Sequence, residues 1–468
     1  MHPTLASDLA NIDSLLERTR RHAVAALATL DDRPAALAPP PATVRGLPQE
    51  GAGLEGALEE FATRWAAGFS GSAGPRYLGF VTGGATPASL AGDWLTSIYD
   101  QNPTAGIDSS APDLERETIA RLRDLFGLSD AQQGVFVTGA TMSNLVGLAI
   151  GREWLGEQKN VRVAEQGVAA LGDVKVLSAT AHSSIYKSLS VLGIGRNAVQ
   201  KVATLPEREA IDIAALESAL AALNGAPAIV VASAGTVNTV DFDDLVAIHA
   251  LKARYPFWLH VDAAFGAFAA LAPKYASLVA GLDAADSICV DLHKWLNVPY
   301  DAAVQFTRRR DLQVRVFQNS AAYLGVPAEN PDFVHLTPEN SRRLRALATW
   351  FSLAAYGRAG HAEIVTRNIE LAQALGRRIE GVEGQAGFRL LAPTRLNVVC
   401  FTLAERPDEA RINAYVRAVR DLGDVFITST VYGGTWGLRV AFTNWRTSEA
   451  DVPRIFGSLQ KALDKLGS

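Results

Sequence analysis

Cysteine is nearly absent from this sequence. Only Cys289 and Cys400 occur among 468 residues, too few and too far apart for a disulfide framework or a zinc cluster. Both lie in apolar runs and are expected to be buried, reduced thiols. Neither sign of charge dominates, with 44 Lys and Arg against 49 Asp and Glu. That balance removes any general electrostatic reason to bind nucleic acid or an anionic membrane. No apolar stretch reaches the length of a membrane span, and Met1-His2-Pro3-Thr4 opens into a polar amphipathic segment rather than a signal-peptide core. A cytoplasmic protein is expected, with no membrane partner, no nucleic acid and no metal. Internal repeats and low-complexity tails are also missing.

What is present is an ordinary globular composition, 48% hydrophobic and 20% charged, in a chain long enough for two or three domains. Residues 5–31 carry a helical pattern with Leu9, Ile12, Leu15 and Leu16 on one side, followed by a Pro/Gly-rich stretch from Pro39 to Gly53. From about Phe80, helical stretches alternate with short apolar runs at Val135–Val137, Val174–Leu177, Ile229–Val231, Trp258–Val261, Ile288–Val290 and Ala303–Phe306. Such alternation predicts an α/β fold with a mostly parallel sheet. After Pro338 a helix is expected over Ser341–Tyr356, then a smaller α+β region with strands at Asn397–Phe401 and Leu438–Phe442. The expected division is an N-terminal helical segment over 1–79, a large domain over 80–350 and a small domain over 351–468.

Three segments carry chemistry. Gly134-Val-Phe-Val-Thr-Gly-Ala-Thr-Met-Ser-Asn144 reads as a strand, a small-residue turn and a helix, a geometry that stabilises an anion at the helix N-terminus. The turn lacks both GxGxxG and GxxxxGK[ST], and a plain turn capped by Ser143 or Asn144 is the alternative. Trp258-Leu-His-Val-Asp-Ala-Ala-Phe-Gly266 ends an apolar strand on Asp262, where open parallel sheets bind ligands. Asp262 as the cap of a following helix is the alternative there. In Ser287-Ile-Cys-Val-Asp-Leu-His-Lys-Trp-Leu296, Lys294 follows a strand between His293 and Trp295, an unusual place for a solvated charge. A lysine withdrawn from water is suited to imine formation; a surface lysine at a strand end is the alternative. Lys294 and Asp262 are 32 residues apart, enough for an excursion and a return strand to the same sheet edge.

Taken together with Ala181-His182-Ser183-Ser184, Ala234-Gly235-Thr236 and Asn340-Ser341-Arg342-Arg343-Leu344-Arg345-Ala346-Leu347, these segments resemble the group II pyridoxal 5'-phosphate (PLP)-dependent amino-acid decarboxylases. That family includes aromatic-L-amino-acid, glutamate and diaminobutyrate decarboxylases. The likeness runs from Pro75-Arg76-Tyr77-Leu78-Gly79-Phe80 to Leu438-Arg439-Val440. It implies the aspartate aminotransferase (fold type I) architecture, an amino-acid substrate, PLP as cofactor and a homodimer with the site at its interface. By the same resemblance Lys294 forms the Schiff base, Asp262 partners the pyridine nitrogen and His182 stacks on the ring. Ala264 packs opposite, Ala140, Thr141 and His293 hold the phosphate, and Tyr323 protonates the substrate carbon. The alternatives are a half-buried loop aromatic for Tyr323 and a backbone-bonded core histidine for His182.

The chain departs from the family pattern at Val237, where a second threonine is common, and at Gly139-Ala140-Thr141, where Gly-Gly-Thr or Gly-Gly-Ser is commoner. Its glycine-rich segment Val81-Thr-Gly-Gly-Ala-Thr-Pro87, read as substrate entry, lacks aromatic character, so no aromatic substrate is implied. A carbon–carbon lyase, an aminotransferase, a decarboxylation-dependent oxidative deaminase and a non-enzymatic PLP-binding regulator are the competing readings.

Overall fold

The computed structural model describes residues 1–39, 41, 43–319, 330–381 and 387–467. Its first sheet is built from the apolar runs: β1 (Gln133–Val137), β2 (Val176–Ser178), β3 (Val199–Lys201), β4 (Ala228–Ser233), β5 (Phe257–Asp262), β6 (Ser287–Asp291) and β7 (Ala303–Thr307). Strands β4 to β7 are buried along their whole length, as befits a sheet covered on both faces. The order is β1-β7-β6-β5-β4-β2-β3. Pairing is parallel from β3 through β6, and β7 runs antiparallel to both β6 and β1. The C-terminal ends of β1, β4, β5 and β6 therefore open on one edge. Edge strand β3 escapes the sequence pattern because Gln200 and Lys201 are exposed, so no apolar run marks it.

A second sheet, β8 (Phe388–Leu390), β9 (Val398–Leu403), β10 (Thr428–Tyr432) and β11 (Thr435–Ala441), is antiparallel throughout in the order β10-β11-β9-β8. It has its own apolar core, including Val399, Phe401, Tyr415, Leu438 and Ile455. Leu78 belongs to that core, tied by its N–H to the Phe426 carbonyl at 2.9 Å. The N-terminal pattern forms helices Pro3–Ala10 and Ile12–Ala28. Only Leu15 of its apolar side is buried, while Leu9, Ile12 and Leu16 stand exposed.

The helix expected over Ser341–Tyr356 starts later and runs further, over Ala346–Glu380, with a kink at Gly357 (φ 57°). Its start is delayed because the preceding arginines are committed to carboxylates. Arg342 meets Glu115 through two hydrogen bonds of 2.9 and 2.8 Å, Arg343 reaches Asp93, and Arg345 reaches Asp301 and Glu339. The Arg342–Glu115 pair is fully enclosed. Removing one member of such a pair leaves the other charge buried and uncompensated. Glu115→Ala is expected to destabilise the fold by about 3–5 kcal/mol, read as a lowered midpoint in urea; a change below about 1 kcal/mol, the range of surface pairs, would contradict it.

Candidate active site

At the edge where the strands end, a cavity of about 380 Å³ is lined by Thr138, Gly139, Ala140, Thr141, His182, Asp262, Ala264, His293 and Lys294, among others. Every site residue expected from the sequence is thus brought to one place, except Tyr323, which lies outside the described residues. Asp262 ends β5, and Lys294 lies in the single helical turn Leu292–Trp295 that follows β6. Ala140 opens the helix Ala140–Gln158 after β1. The first N–H groups of a helix have no acceptor within it, so this end presents donors to the cavity.

Neither Ser143 nor Asn144 caps that helix. Its N-cap is Gly139, the Ser143 hydroxyl donates to the Val304 carbonyl at 3.1 Å, and Asn144 is drawn into a buried network. Trp258 Nε1 donates to Ser287 Oγ at 3.0 Å, and Ser287 Oγ lies 2.7 Å from His260 Nδ1. His260 Nε2 lies 2.9 Å from Asn144 Oδ1, and Asn144 Nδ2 donates to Asp262 Oδ2 at 3.0 Å. A carboxylate only accepts, so Asn144 turns Nδ2 to Asp262 and its Oδ1 accepts from His260 Nε2–H; Nδ1 of the neutral ring then accepts from the Ser287 hydroxyl. A branch from Asn144 Nδ2 reaches Ser184 Oγ at 3.0 Å, which in turn lies 2.8 Å from His182 Nδ1. With the Ser184 hydroxyl donating, His182 keeps its proton on Nε2. Gly147 makes room for this network, since a Cβ there would lie 2.7 Å from the His260 ring.

Asp262 Oδ1 accepts from the Ala264 N–H at 3.2 Å, which fixes the turn after β5 rather than capping a long helix. His182 stands open to the cavity on one side; partial burial in the wall, the largest influence, still depresses its pKa despite the attraction of Asp262. His293 carries the Tyr300 ring at 4.2 Å between centroids. The glycine-rich segment serves the lysine turn: Gly83 N–H donates to the His293 carbonyl at 3.3 Å, and a Cβ at Gly83 would collide with the Lys294 carbonyl. Val237 lines the cavity as expected. The neighbouring Thr236 hydroxyl is committed to Glu209 at 2.6 Å.

Sequence reasoning passed over Asn144 as a site residue, and over His260, Tyr300 and Arg439. Arg439, half-buried, lines the cavity and donates to the Val237 carbonyl at 2.7 Å, with Nε unpartnered. A charged residue between Leu438 and Val440 in an apolar strand was its available signal; for Asn144 and His260 only the folded contacts reveal the link. Among the described residues no group of three His, Cys, Asp or Glu side chains is placed to hold a metal ion. The donor set fits a phosphorylated pyridine aldehyde instead: an amine for the aldehyde, a carboxylate for the ring nitrogen, and a helix N-terminus for the phosphate.

Burial pushes the pKa of His260 down to about 4. Its folded value lies below the unfolded value near 6.5, so the unfolded chain binds the proton first. The stability this neutral histidine contributes is present above pH 6.5 and is lost as pH falls toward 4. His361 is shifted the same way. Acid unfolding followed between pH 7 and 4 is therefore expected to show a steeper loss in the native protein than in His260→Asn, by about 1.4 kcal/mol per pH unit. Equal slopes would refute the neutral assignment.

The pyridoxal-dependent decarboxylase conserved domain matches residues 43–404. An aromatic-L-amino-acid decarboxylase of Bacillus atrophaeus is 28% identical over 407 residues, 84% of this chain and 82% of that protein. An L-2,4-diaminobutyrate decarboxylase of Rhizobium meliloti (strain 1021) is 28% identical over 379 residues, 79% of this chain and 72% of that protein. In fold, the chain superposes on the crystal structure of Oryza sativa TDC with PLP and tryptamine with a TM-score of 0.89, at 22% identity and 98% coverage of both chains. The chain belongs to the pyridoxal-dependent decarboxylase family and is a PLP-dependent carboxy-lyase acting on an amino acid.

Proposed function

We propose that this enzyme converts an L-amino acid to the corresponding amine and CO2, with PLP carried on Lys294. The observation that carries this reading is the meeting of Lys294, Asp262 and the helix start at Ala140 around one cavity. When bound, PLP supplies a pyridinium ring that accepts the electron pair left by departing CO2. Asp262, fixed by Asn144 and the Ala264 N–H, holds a proton at the ring nitrogen by its negative charge. His182 would cover one face of the ring and Ala264 the other. Ala140 and Thr141 would hold the phosphate through backbone N–H groups, together with His293. Val81 and Phe265, buried on the cavity wall, keep water from the reacting carbon. Tyr323 delivers the proton to that carbon.

Decarboxylation is preferred over transamination, other lyase chemistry, oxidative deamination or a regulatory role because the relatives named above are decarboxylases. A homodimer is supported by the apolar side chains that one chain leaves exposed, Phe80, Trp94, Ile98, Tyr99, Ile107 and Tyr300, and by the uncovered Leu9, Ile12 and Leu16. A cytoplasmic setting is supported by the two free, buried thiols, and no described helix is long and apolar enough to cross a membrane.

Purified protein given PLP and the common amino acids plus 2,4-diaminobutyrate is expected to release CO2 and an amine. A keto acid without CO2 would overturn the reading. Lys294→Ala is expected to lose both turnover and the visible absorbance of protein-bound cofactor, and borohydride should no longer fix the cofactor to the chain. Persisting fixation would move the attachment elsewhere. Asp262→Asn keeps the shape of the side chain but removes its charge. It is expected to bind PLP while turnover falls by about two to three orders of magnitude or more, the scale of electrostatic losses at catalytic sites; near-normal turnover would remove Asp262 from the mechanism.

A further inference from the structure

Asp291 is used by none of the roles above, yet its carboxylate sits inside the anion cradle. It is buried at 2% exposure. Oδ2 accepts the Ala140 N–H at 3.3 Å, the first donor of the helix that faces the cavity, and lies 3.5 Å from Lys294 Nζ. Oδ1 lies 3.1 Å from His293 Nδ1. That nitrogen accepts from the Ala302 N–H at 3.4 Å, so its lone pair is engaged there, and Oδ1 has no hydrogen-bond partner. All the contacts of this carboxylate are therefore long or incomplete. It is an anion in an anion's seat, loosely held.

We propose that Asp291 is a resident anion of the cofactor-free site, which the cofactor phosphate displaces from the Ala140 N–H and which sets how tightly PLP is held. The inference rests on the reading of Ala140 and Lys294 given above. A buried carboxylate beside the phosphate seat acts against the cofactor in two ways. It competes for the helix N–H, and its negative charge opposes a phosphate at short range, where the surroundings screen weakly. The design favours a cofactor that exchanges over one that is locked in. An asparagine at the same position would keep the acceptor for Ala140, lose the charge, and offer an N–H to the phosphate.

The test is equilibrium binding of PLP and of pyridoxal, which lacks the phosphate, to the cofactor-free native protein, Asp291→Asn and Asp291→Ser, followed by protein fluorescence and visible absorbance. Both variants are expected to bind PLP more tightly, Asp291→Asn on the order of tenfold, with a slower release rate. Pyridoxal affinity should stay within about twofold, the scale of an effect that leaves short-range charge unchanged. Unchanged or weaker PLP binding in Asp291→Asn, with thermal melting showing a folded chain, would overturn the proposal. So would an equal gain for pyridoxal, since the competition would then be for Lys294 and not for the phosphate seat. Failure of the underlying site reading looks different: native protein that shows no saturable PLP binding, or PLP binding that survives unchanged in Lys294→Ala.

Discussion

The architecture of this cavity depends on one buried charge, the Asp262 carboxylate, being kept where apolar strands surround it. A carboxylate at the end of β5 would be costly to bury alone. The relay from Trp258 through Ser287, His260 and Asn144 supplies the donor that makes it tolerable. Because the chain ends at an acceptor-only carboxylate, its polarity is set, and burial keeps His260 neutral. The sheet core and the active centre thus share residues. A change in the packing of Trp258 is a change in the environment of Asp262.

The same economy governs the loops around the cavity. Buried Glu209 accepts from the Thr236 and Thr239 hydroxyls at 2.6 and 2.7 Å and from Asn238 at 3.0 Å. That loop therefore has a fixed shape before any ligand contacts it. Asn238 is bonded in turn to Thr430 of β10 at 2.5 Å, and Arg439 of β11 to the Val237 carbonyl. The second sheet is accordingly fastened to the cavity wall by polar contacts, while Arg76 and Asp451 tie the segment before Leu78 to the C-terminal helix Asp451–Gly467 through a buried pair at 2.9 Å. Partners that are already satisfied lose little freedom when a ligand arrives, which is how a site is pre-organised.

Electrostatically, the cavity sets one amine and half-buried Arg439 against two carboxylates, Asp262 and Asp291. Asp262 is well satisfied by its donors. Asp291 is not. That contrast separates a charge the fold was built to keep from one it holds loosely, and it is invisible in a sequence where both are an aspartate closing an apolar strand.

Much of the fold was legible because burial on both faces leaves apolar runs: β1, β4, β5, β6 and β7 each fall on a run, and the acid, the lysine and the small-residue turn follow those runs. Lys294 and Asp262 could be named from their strand ends, and Ala140, Thr141, His182, His293 and Ala264 from the resemblance to the decarboxylase family; the chain does bring them to one cavity. Three features could not be read this way. Strand β3 is short and polar at the edge, so it leaves no apolar signature. The helix after Pro338 begins at Ala346 because Arg342, Arg343 and Arg345 find carboxylates from distant segments, whereas helical periodicity reports only local preference. The links of Asn144 to Asp262 and to His260, and of Asp291 to Ala140, each span more than 100 residues. Sequence determined which groups the chain carries and which strand ends deliver them. Tertiary structure alone decided which polar atoms are satisfied and which are left wanting, because hydrogen bonds between distant segments form only where packing places donor against acceptor.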